Sequence, residues 1–137
     1  MKRVAVPLLL VVALMAIAVA GWWLKRPPEA VAVSCADPLA GCTFSLRGAT
    51  ASVHFSKLPA PLETFELRVS APGATRISAE FQMAGMDMGF NRYDLRRAGS
   101  DAFAAKVTLP VCVSGRRDWV LRLDIDGSLY ALPFSTR

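Results

Sequence analysis

The chain has 137 residues, enough for one domain, and 53% of them are hydrophobic. Its formal charge is +5, but four of the positive charges, at Lys2, Arg3, Lys25 and Arg26, flank a single apolar segment. From Ala30 onward, 12 basic and 10 acidic residues leave a net charge of only +2, and no basic run is interleaved with aromatic residues. This composition argues against nucleic acid as a partner.

The apolar segment runs from Val4 to Leu24 without a charged residue. As a helix it would span about 31 Å, which is enough for one membrane crossing, and the two tryptophans near its end suit the membrane–water interface. We therefore predict a single-pass anchor over residues 1–26 in the inner membrane, with the C-terminal domain in the periplasm. The alternative is a cleaved signal peptide, because Ala18-Val19-Ala20 offers a small-residue cleavage site.

A Pro-Pro pair ends the helix and begins a short, stiff linker, which we predict over residues 27–41. The three cysteines are Cys35, Cys42 and Cys112. In an exported domain this number implies one disulfide and one remaining thiol. The short spacing favours a Cys35–Cys42 bond, while a Cys42–Cys112 bond stays open as an alternative.

After residue 30 the hydrophobic pattern changes to an alternation of two residues, which is typical of half-buried β-strands. The segments that show this alternation or look extended are Cys42–Leu46, Ala49–Phe55, 65–69, 77–83, Asn91–Arg97, 103–109, 119–125 and Ser128–Phe134. Turn residues such as Asp126-Gly127 separate them. For residues 42–137 we predict an all-β fold, an antiparallel immunoglobulin- or cupredoxin-like sandwich of seven to eight strands, preceded by one N-terminal transmembrane helix.

Three of the five methionines, Met83, Met86 and Met88, fall close together and are punctuated by glycines and one aspartate. A thioether is a soft ligand that is never protonated at physiological pH, so it suits Cu(I) better than a hard cation. Packing alone does not explain two methionines in a glycine-bounded loop, and we predict a Cu(I) site at Met86 and Met88. Met83 continues the apolar face of its strand, so we expect it to be a core residue first and a ligand second.

Successive antiparallel strands reverse direction, so alternate loops lie at the same end of a sandwich. Counted from Cys42, the strands that lead through His54, to Met83 and to Leu109 all finish at one end. His54 and Cys112 are therefore further candidate metal ligands, although a structural role is the stronger expectation for Cys112. The same count predicts that the anchor enters the domain at this end, so that a metal site there would face the bilayer.

Catalytic arrangements are missing from the sequence. One histidine gives no support for a hydrolase triad, and the cysteines do not form a C-x-x-C motif. No glycine-rich phosphate loop follows a strand. We therefore predict that the protein is not an enzyme.

The segments Pro61-Leu62, Met83 to Gly89 and Leu109 to Trp119 resemble FixH-like and YtkA-like exported domains, over roughly residues 50 to 135. The resemblance implies accessory work around copper or membrane-oxidase assembly, without enzymatic activity. Better-defined exported copper chaperones carry paired histidines and methionines at long, fixed spacings, and this chain has one histidine.

We expect a copper-handling accessory protein whose partners are the bilayer and a membrane copper oxidase or another copper acceptor. The alternative function is a metal-free, membrane-anchored interaction or assembly module. In that case the methionine loop is an adaptable apolar contact surface.

Overall fold

The computed structural model describes residues 2–25, 29–86, 91–111 and 115–137, with the backbone alone for residues 2–6. The first element, α1, is a helix over Lys2–Leu24. Its segment Pro7–Leu24 is long and apolar enough to cross a membrane, and none of that segment is buried by the rest of the protein. The predicted apolar N-terminal helix is confirmed, and the same length and composition also suit a signal sequence.

Ten strands follow in the described part of the chain. They are β1 (Val31–Ala32), β2 (Cys42–Leu46), β3 (Ala49–Phe55), β4 (Thr64–Ser70), β5 (Ile77–Met83), β6 (Arg92–Asp94), β7 (Arg96–Arg97), β8 (Ala102–Thr108), β9 (Asp118–Ile125) and β10 (Ser128–Ser135). Sheet 1 has the strand order β1-β10-β9-β5-β6, and sheet 2 has the order β2-β3-β4-β8-β7. The neighbouring strands are antiparallel except for β1 and β10, which are parallel.

The two sheets pack face to face, and aromatic rings make contacts between them. Phe65 of sheet 2 lies 5.9 Å from Phe81 of sheet 1, and Phe55 of sheet 2 lies 5.2 Å from Phe134 of sheet 1, measured between ring centroids. Among the described residues, the buried hydrophobic side chains lie between Val33 and Phe134, so α1 contributes none to this core. The predicted two-sheet β-fold behind an apolar helix is confirmed, and residues 29–137 carry their own core.

The segment predicted as one strand over Asn91–Arg97 divides into two. β6 pairs with β5 in sheet 1, whereas β7 pairs with β8 in sheet 2. Between them Leu95 is buried, and its N–H donates to the carbonyl of Ile77. The chain therefore passes from one sheet to the other at Leu95, because this side chain enters the core while its neighbours stay exposed. The division, together with the short exposed strand β1, raises the number of strands above the predicted seven to eight.

Four strands finish at a common end of the domain, which we call the loop end. These strands are β3 and β8 in sheet 2 and β5 and β10 in sheet 1, and the contact between Phe55 and Phe134 brings the ends of β3 and β10 together. Cys42 begins β2 at the same end, opposite Val53. The argument from strand direction is confirmed for the described residues His54, Met83 and Cys42. We call the opposite end the turn end.

The prediction that the chain enters the domain at the loop end is wrong. β1 runs parallel to β10, with Val31 opposite Tyr130. Because β10 starts at the turn end, the chain enters on that half of the domain and reaches the loop end only at Cys35. The count of strands began at Cys42 and so missed the segment from β1 to Cys35, which runs along the domain toward the loop end. This segment lies within the predicted linker, yet its residue Val33 is buried in the core.

Two tight hairpins meet at the turn end. Both loop residues have positive φ in each, at Arg47-Gly48 (49° and 83°) and at Asp126-Gly127 (48° and 86°), which is type I′ geometry. Arg47 Nη1 lies 3.6 Å from Asp126 Oδ2, so an ion pair links the hairpin of sheet 2 to that of sheet 1. Asp126 Oδ1 also accepts hydrogen bonds from Thr75 Oγ1 (2.6 Å) and from the N–H of Arg76 (2.8 Å). The Asp126 carboxylate therefore joins three segments of the chain.

The hydrogen bonds to Asp126 predict a dependence of stability on pH. The Thr75 hydroxyl, followed by the N–H groups of Thr75 and Arg76, holds the pKa of Asp126 below its ordinary value of 3.8. A lowered pKa in the folded state means that the stabilisation is present above the unfolded pKa and is lost as the pH falls below it. We expect the free energy of unfolding to drop less between pH 7 and pH 3 in Asp126→Asn than in the wild type, in urea titrations of residues 29–137. Asparagine tolerates the left-handed backbone, so equal drops in both proteins would contradict this role of the carboxylate.

A disulfide joins Cys35 to Cys42, whose Cα atoms are 5.3 Å apart, so the predicted pairing is confirmed. Cys35 follows β1, the edge strand of sheet 1, and Cys42 begins β2, the edge strand of sheet 2. The bond therefore connects the two sheets at the loop end. The N–H of Phe55 donates to the carbonyl of Pro38 (2.9 Å), which holds the intervening loop against β3. The pairing uses two of the three cysteines and leaves the thiol of Cys112, which lies outside the described residues.

We expect removal of the disulfide to cause a moderate loss of stability. Its cysteines are seven positions apart, and a closed loop of that size lowers the entropy of the unfolded chain by the equivalent of about 2.5 kcal/mol. We expect Cys35→Ser/Cys42→Ser to lower the free energy of unfolding by about this amount in urea denaturation. The wild type should lose a similar amount when dithiothreitol is added, whereas the double variant should not respond to the reductant. A response of the double variant would assign the effect to something other than this bond.

Candidate functional site

The methionine loop begins with a tight turn directly after β5. The N–H of Met86 donates to the carbonyl of Met83 (3.1 Å), and Gly85 has a φ of 76°. This left-handed conformation costs glycine little, which is why the glycine stands at this point of the turn. The N–H of Ala84 also donates to the carbonyl of Asp118 (3.2 Å), so the turn is fastened to β9.

The far side of the methionine loop is closed by Asn91, directly before β6. The carbonyl of Asn91 accepts from the N–H of Phe81 (3.1 Å), and its side-chain amide donates to the carbonyl of the same residue (3.3 Å). Asn91 is buried, so these bonds lie inside the protein. The loop therefore has two fixed ends, at Met86 and at Asn91. Met88, which is a predicted ligand, lies between them and outside the described residues.

The turn separates two methionines into different environments. Met83 is 2% exposed and pairs with Trp119 of β9, so its side chain belongs to the core. Met86, three residues later, is 43% exposed at the surface. The expectation that Met83 is first a core residue agrees with this burial, and only Met86 among the described methionines of the loop presents its thioether to solvent.

The two environments predict that substitution by alanine lowers the free energy of unfolding much more at Met83 than at Met86. Met83→Ala should lower the free energy of unfolding by about 2 to 5 kcal/mol, because it leaves a cavity beside Trp119. Met86→Ala should change it by no more than about 0.5 kcal/mol. Urea denaturation of residues 29–137 measures both. A large loss for Met86→Ala would show that its side chain packs against the domain rather than facing solvent.

The structure does not bring His54 to the methionine turn. His54 is exposed and lies opposite Arg68 on β4, on the outer face of sheet 2. Its neighbours Val53 and Phe55 face the core, toward sheet 1, from which the methionine loop emerges. His54 therefore points away from Met86, even though both residues lie near the loop end.

The loop that contains Cys112 starts beside Leu62 and finishes beside the methionine turn. It follows Leu109, a buried residue at the end of β8, and leads into β9, where Asp118 accepts the hydrogen bond from Ala84. The described residues that flank Cys112, Val111 on one side and Gly115 on the other, are both exposed. The two loops thus leave the domain at the same end, which keeps Cys112 as a candidate ligand by topology.

Leu62 is a feature of the loop end that the sequence did not reveal. It has a φ of 61° and its side chain is 70% exposed, while its N–H donates to the carbonyl of Leu109 (3.0 Å). A left-handed conformation costs a residue other than glycine about 1 to 2 kcal/mol. The prolines at positions 59 and 61 are typical of a turn, but a sequence does not show which residue adopts the strained backbone.

Arginines surround a small depression of about 210 Å³ near Leu62. It is lined by Pro61, Gly115, Arg116, Arg117, Trp119, Thr136 and Arg137. Arg116 Nε donates to Asp118 Oδ1 (2.9 Å), and this hydrogen bond is the main reason that the pKa of Asp118 is lowered. The hydrogen bond from Lys57 to Glu63 (3.0 Å) likewise lowers the pKa of Glu63, which lies 3.9 Å from Arg137.

A larger depression of about 490 Å³ lies between the disulfide and the methionine turn. Its lining includes Cys35, Pro38, Ala84, Trp119 and Phe134. These are mostly apolar groups, and they give the depression a contact surface rather than a set of metal ligands. The disulfide, the turn and the last residues of β10 therefore form one continuous surface at the loop end.

Clusters of the usual metal-ligating side chains are absent from the described residues. No group of three or more His, Cys, Asp or Glu side chains lies close enough to hold a metal ion within residues 2–25, 29–86, 91–111 and 115–137. A site for a hard cation or a structural zinc site has no support there. A thioether site of the kind that suits Cu(I) would use Met86 with residues of the two loops.

Comparison of the chain with protein-family models, with curated proteins and with solved structures gives no match. The resemblance to FixH-like and YtkA-like domains therefore stays a prediction, and the arguments about function depend on the residues of this chain.

Proposed function

We propose that the protein is a membrane-anchored, periplasmic accessory protein that binds Cu(I) through Met86 and Met88. In this proposal the fold is of the immunoglobulin or cupredoxin kind, α1 is an uncleaved anchor in the inner membrane, and the protein has no enzymatic activity. The observation that carries the proposal is the turn after β5, which buries Met83 and presents Met86 at the surface. A purely structural methionine would gain more by packing than by facing solvent.

Cys112 is the preferred third ligand in this proposal. His54 faces away from the methionine turn, and Met83 is committed to the core. The Cys35–Cys42 disulfide leaves the thiol of Cys112, and thiolates bind Cu(I) strongly. Binding through Cys112 requires loss of the thiol proton, so the affinity should rise with pH.

The proposed mechanism is ligand exchange without a change of oxidation state. A shallow site built from exposed thioethers holds the ion loosely enough for an acceptor to replace the ligands one at a time. Because the chain enters the domain on the turn-end half, the site is remote from the point of attachment to the helix. The acceptor is then a copper-binding domain outside the bilayer, such as the periplasmic part of a membrane copper oxidase.

Titration with Cu(I) tests the proposal. Residues 29–137 should bind one equivalent, measured against a competing colorimetric chelator with ascorbate as the reductant. Met86→Leu/Met88→Leu keeps the apolar volume but removes both thioethers, and it should weaken binding by about tenfold or more. Cys112→Ser should also weaken it and should flatten its rise with pH.

His54→Gln is the matched control for this titration, because the proposal gives His54 no part in the site. It should bind Cu(I) as the wild type does. Far-UV circular dichroism checks that each variant is folded. Retention of one tightly bound equivalent in Met86→Leu/Met88→Leu would contradict the proposed site.

A second candidate function is a metal-free interaction or assembly module. The observation that favours it is the exposure of further apolar side chains at the loop end, namely Leu62 and Val111. In this case leucine would replace methionine without loss of partner binding, because the apolar volume is kept. The absence of Cu(I) binding in the titration would favour this second function.

A further inference from the structure

Four of the five large apolar side chains exposed on the described domain lie at the loop end, namely Leu39, Leu62, Met86 and Val111, and the fifth, Val31, lies on the turn-end half. Leu62 and Val111 are 70% and 54% exposed, and they are adjacent because the N–H of Leu62 donates to the carbonyl of Leu109. Trp119 lines both the depression beside Pro61 and the depression beside Ala84, so it lies between the Leu62 region and the methionine turn that carries Met86. Neither burial nor backbone preference accounts for a leucine in the strained position of residue 62, where glycine or asparagine would be less costly. A contact with another surface would account for it.

The same end carries an excess of positive charge. Arg116, Arg117 and Arg137 line one depression together with Pro61, the neighbour of Leu62. Asp118 pairs with Arg116, and Glu63 is shared between Lys57 and Arg137. Arg117 has no carboxylate partner among the described residues.

Four cations therefore face two carboxylates around this depression, and Asp37 adds a third carboxylate elsewhere at the loop end. The sequence adds one more carboxylate to the methionine loop, Asp87, which lies outside the described residues. A surface with an apolar centre and an arginine-rich rim is complementary to a surface with an apolar centre and an acidic rim.

Chain length decides between a protein partner and the membrane that holds α1. Val31 lies level with Tyr130, and the distance along β10 from there to Ser135 is about 17 Å, with the loops extending beyond it. The six peptide steps from Lys25 to Val31 cover about 21 Å at most. To place the loop end head-on against the same bilayer, nearly all of that length would have to run in one straight line past the domain. With α1 as the proposed anchor, contact of the loop end with its own bilayer would thus need an almost fully extended linker, which favours a protein surface as the partner.

We propose that the loop-end surface, formed by Leu62, Met86 and Val111 beside Arg116, Arg117 and Arg137, docks on the acidic surface of a partner protein outside the bilayer. The apolar side chains fill the centre of the contact, and the arginines pair with carboxylates at its rim. The docking does not depend on copper, since none of its contacts uses a metal ion. It also supplies the specificity that a loosely held metal ion by itself would lack.

Photo-cross-linking in native membranes tests this inference with the full-length chain. A benzophenone amino acid replaces Leu62 at the loop end, and in a matched protein it replaces Pro72, an exposed residue at the turn end. We expect a discrete protein adduct from position 62 that position 72 does not give. Salt at about 0.5 M should weaken the adduct, because it screens charges at the rim of the contact.

Charge reversal identifies the surface that carries the contact. Arg117→Glu/Arg137→Glu should abolish the adduct from position 62. The control Arg76→Glu/Arg96→Glu makes the same change of charge at exposed residues away from the loop end and should leave the adduct intact. An adduct that survives the first pair of substitutions, or that both positions give equally, would overturn the inference.

Two further outcomes separate this inference from its alternatives. Adducts with lipid alone from position 62 would show that the loop end meets the bilayer and would overturn the proposal of a protein partner. A Cu(I) chelator should leave the adduct from position 62 intact, because docking uses no metal ion. Loss of the adduct in the presence of the chelator would show that docking depends on the metal, contrary to the inference.

Discussion

The aromatic contact between the two sheets at the loop end is the constraint on which the rest of the structure depends. Phe55 and Phe65 of sheet 2 meet Phe134 and Phe81 of sheet 1, with ring centroids 5.2 and 5.9 Å apart. Tilted and edge-to-face contacts of this kind add to the free energy gained by burial. Because these rings fix the ends of β3, β5 and β10 relative to one another, they also fix where the methionine turn and the neighbouring loops leave the domain.

The direction of β1 decides at which end the chain enters the domain. Its parallel pairing with β10 places the junction with the helix far from the methionine turn, and the disulfide then secures the segment at the loop end. Such a bond fits the oxidising environment of the proposed exported domain. The loop end is thereby separated from the start of β1 by most of the length of the sheets, which suits the proposed contact with a partner outside the bilayer.

Metal binding and docking make different demands on the same surface. A Cu(I) site needs the thioether of Met86 to reach solvent, whereas docking needs apolar area and a charged rim. Leu62 and Arg117 contribute nothing to the first demand and fit the second. In the two proposals docking therefore needs no metal, and addition of a Cu(I) chelator separates the two roles.

The sequence by itself determined the apolar helix, the alternating strands and the Asp126-Gly127 turn, and it favoured the short disulfide, because each depends on residues that are close along the chain. Only the tertiary structure decided the change of sheet at Leu95, the direction of β1, the outward face of His54 and the left-handed backbone of Leu62. Those features depend on which strand each segment pairs with, and pairing is a choice among distant partners that local periodicity does not record.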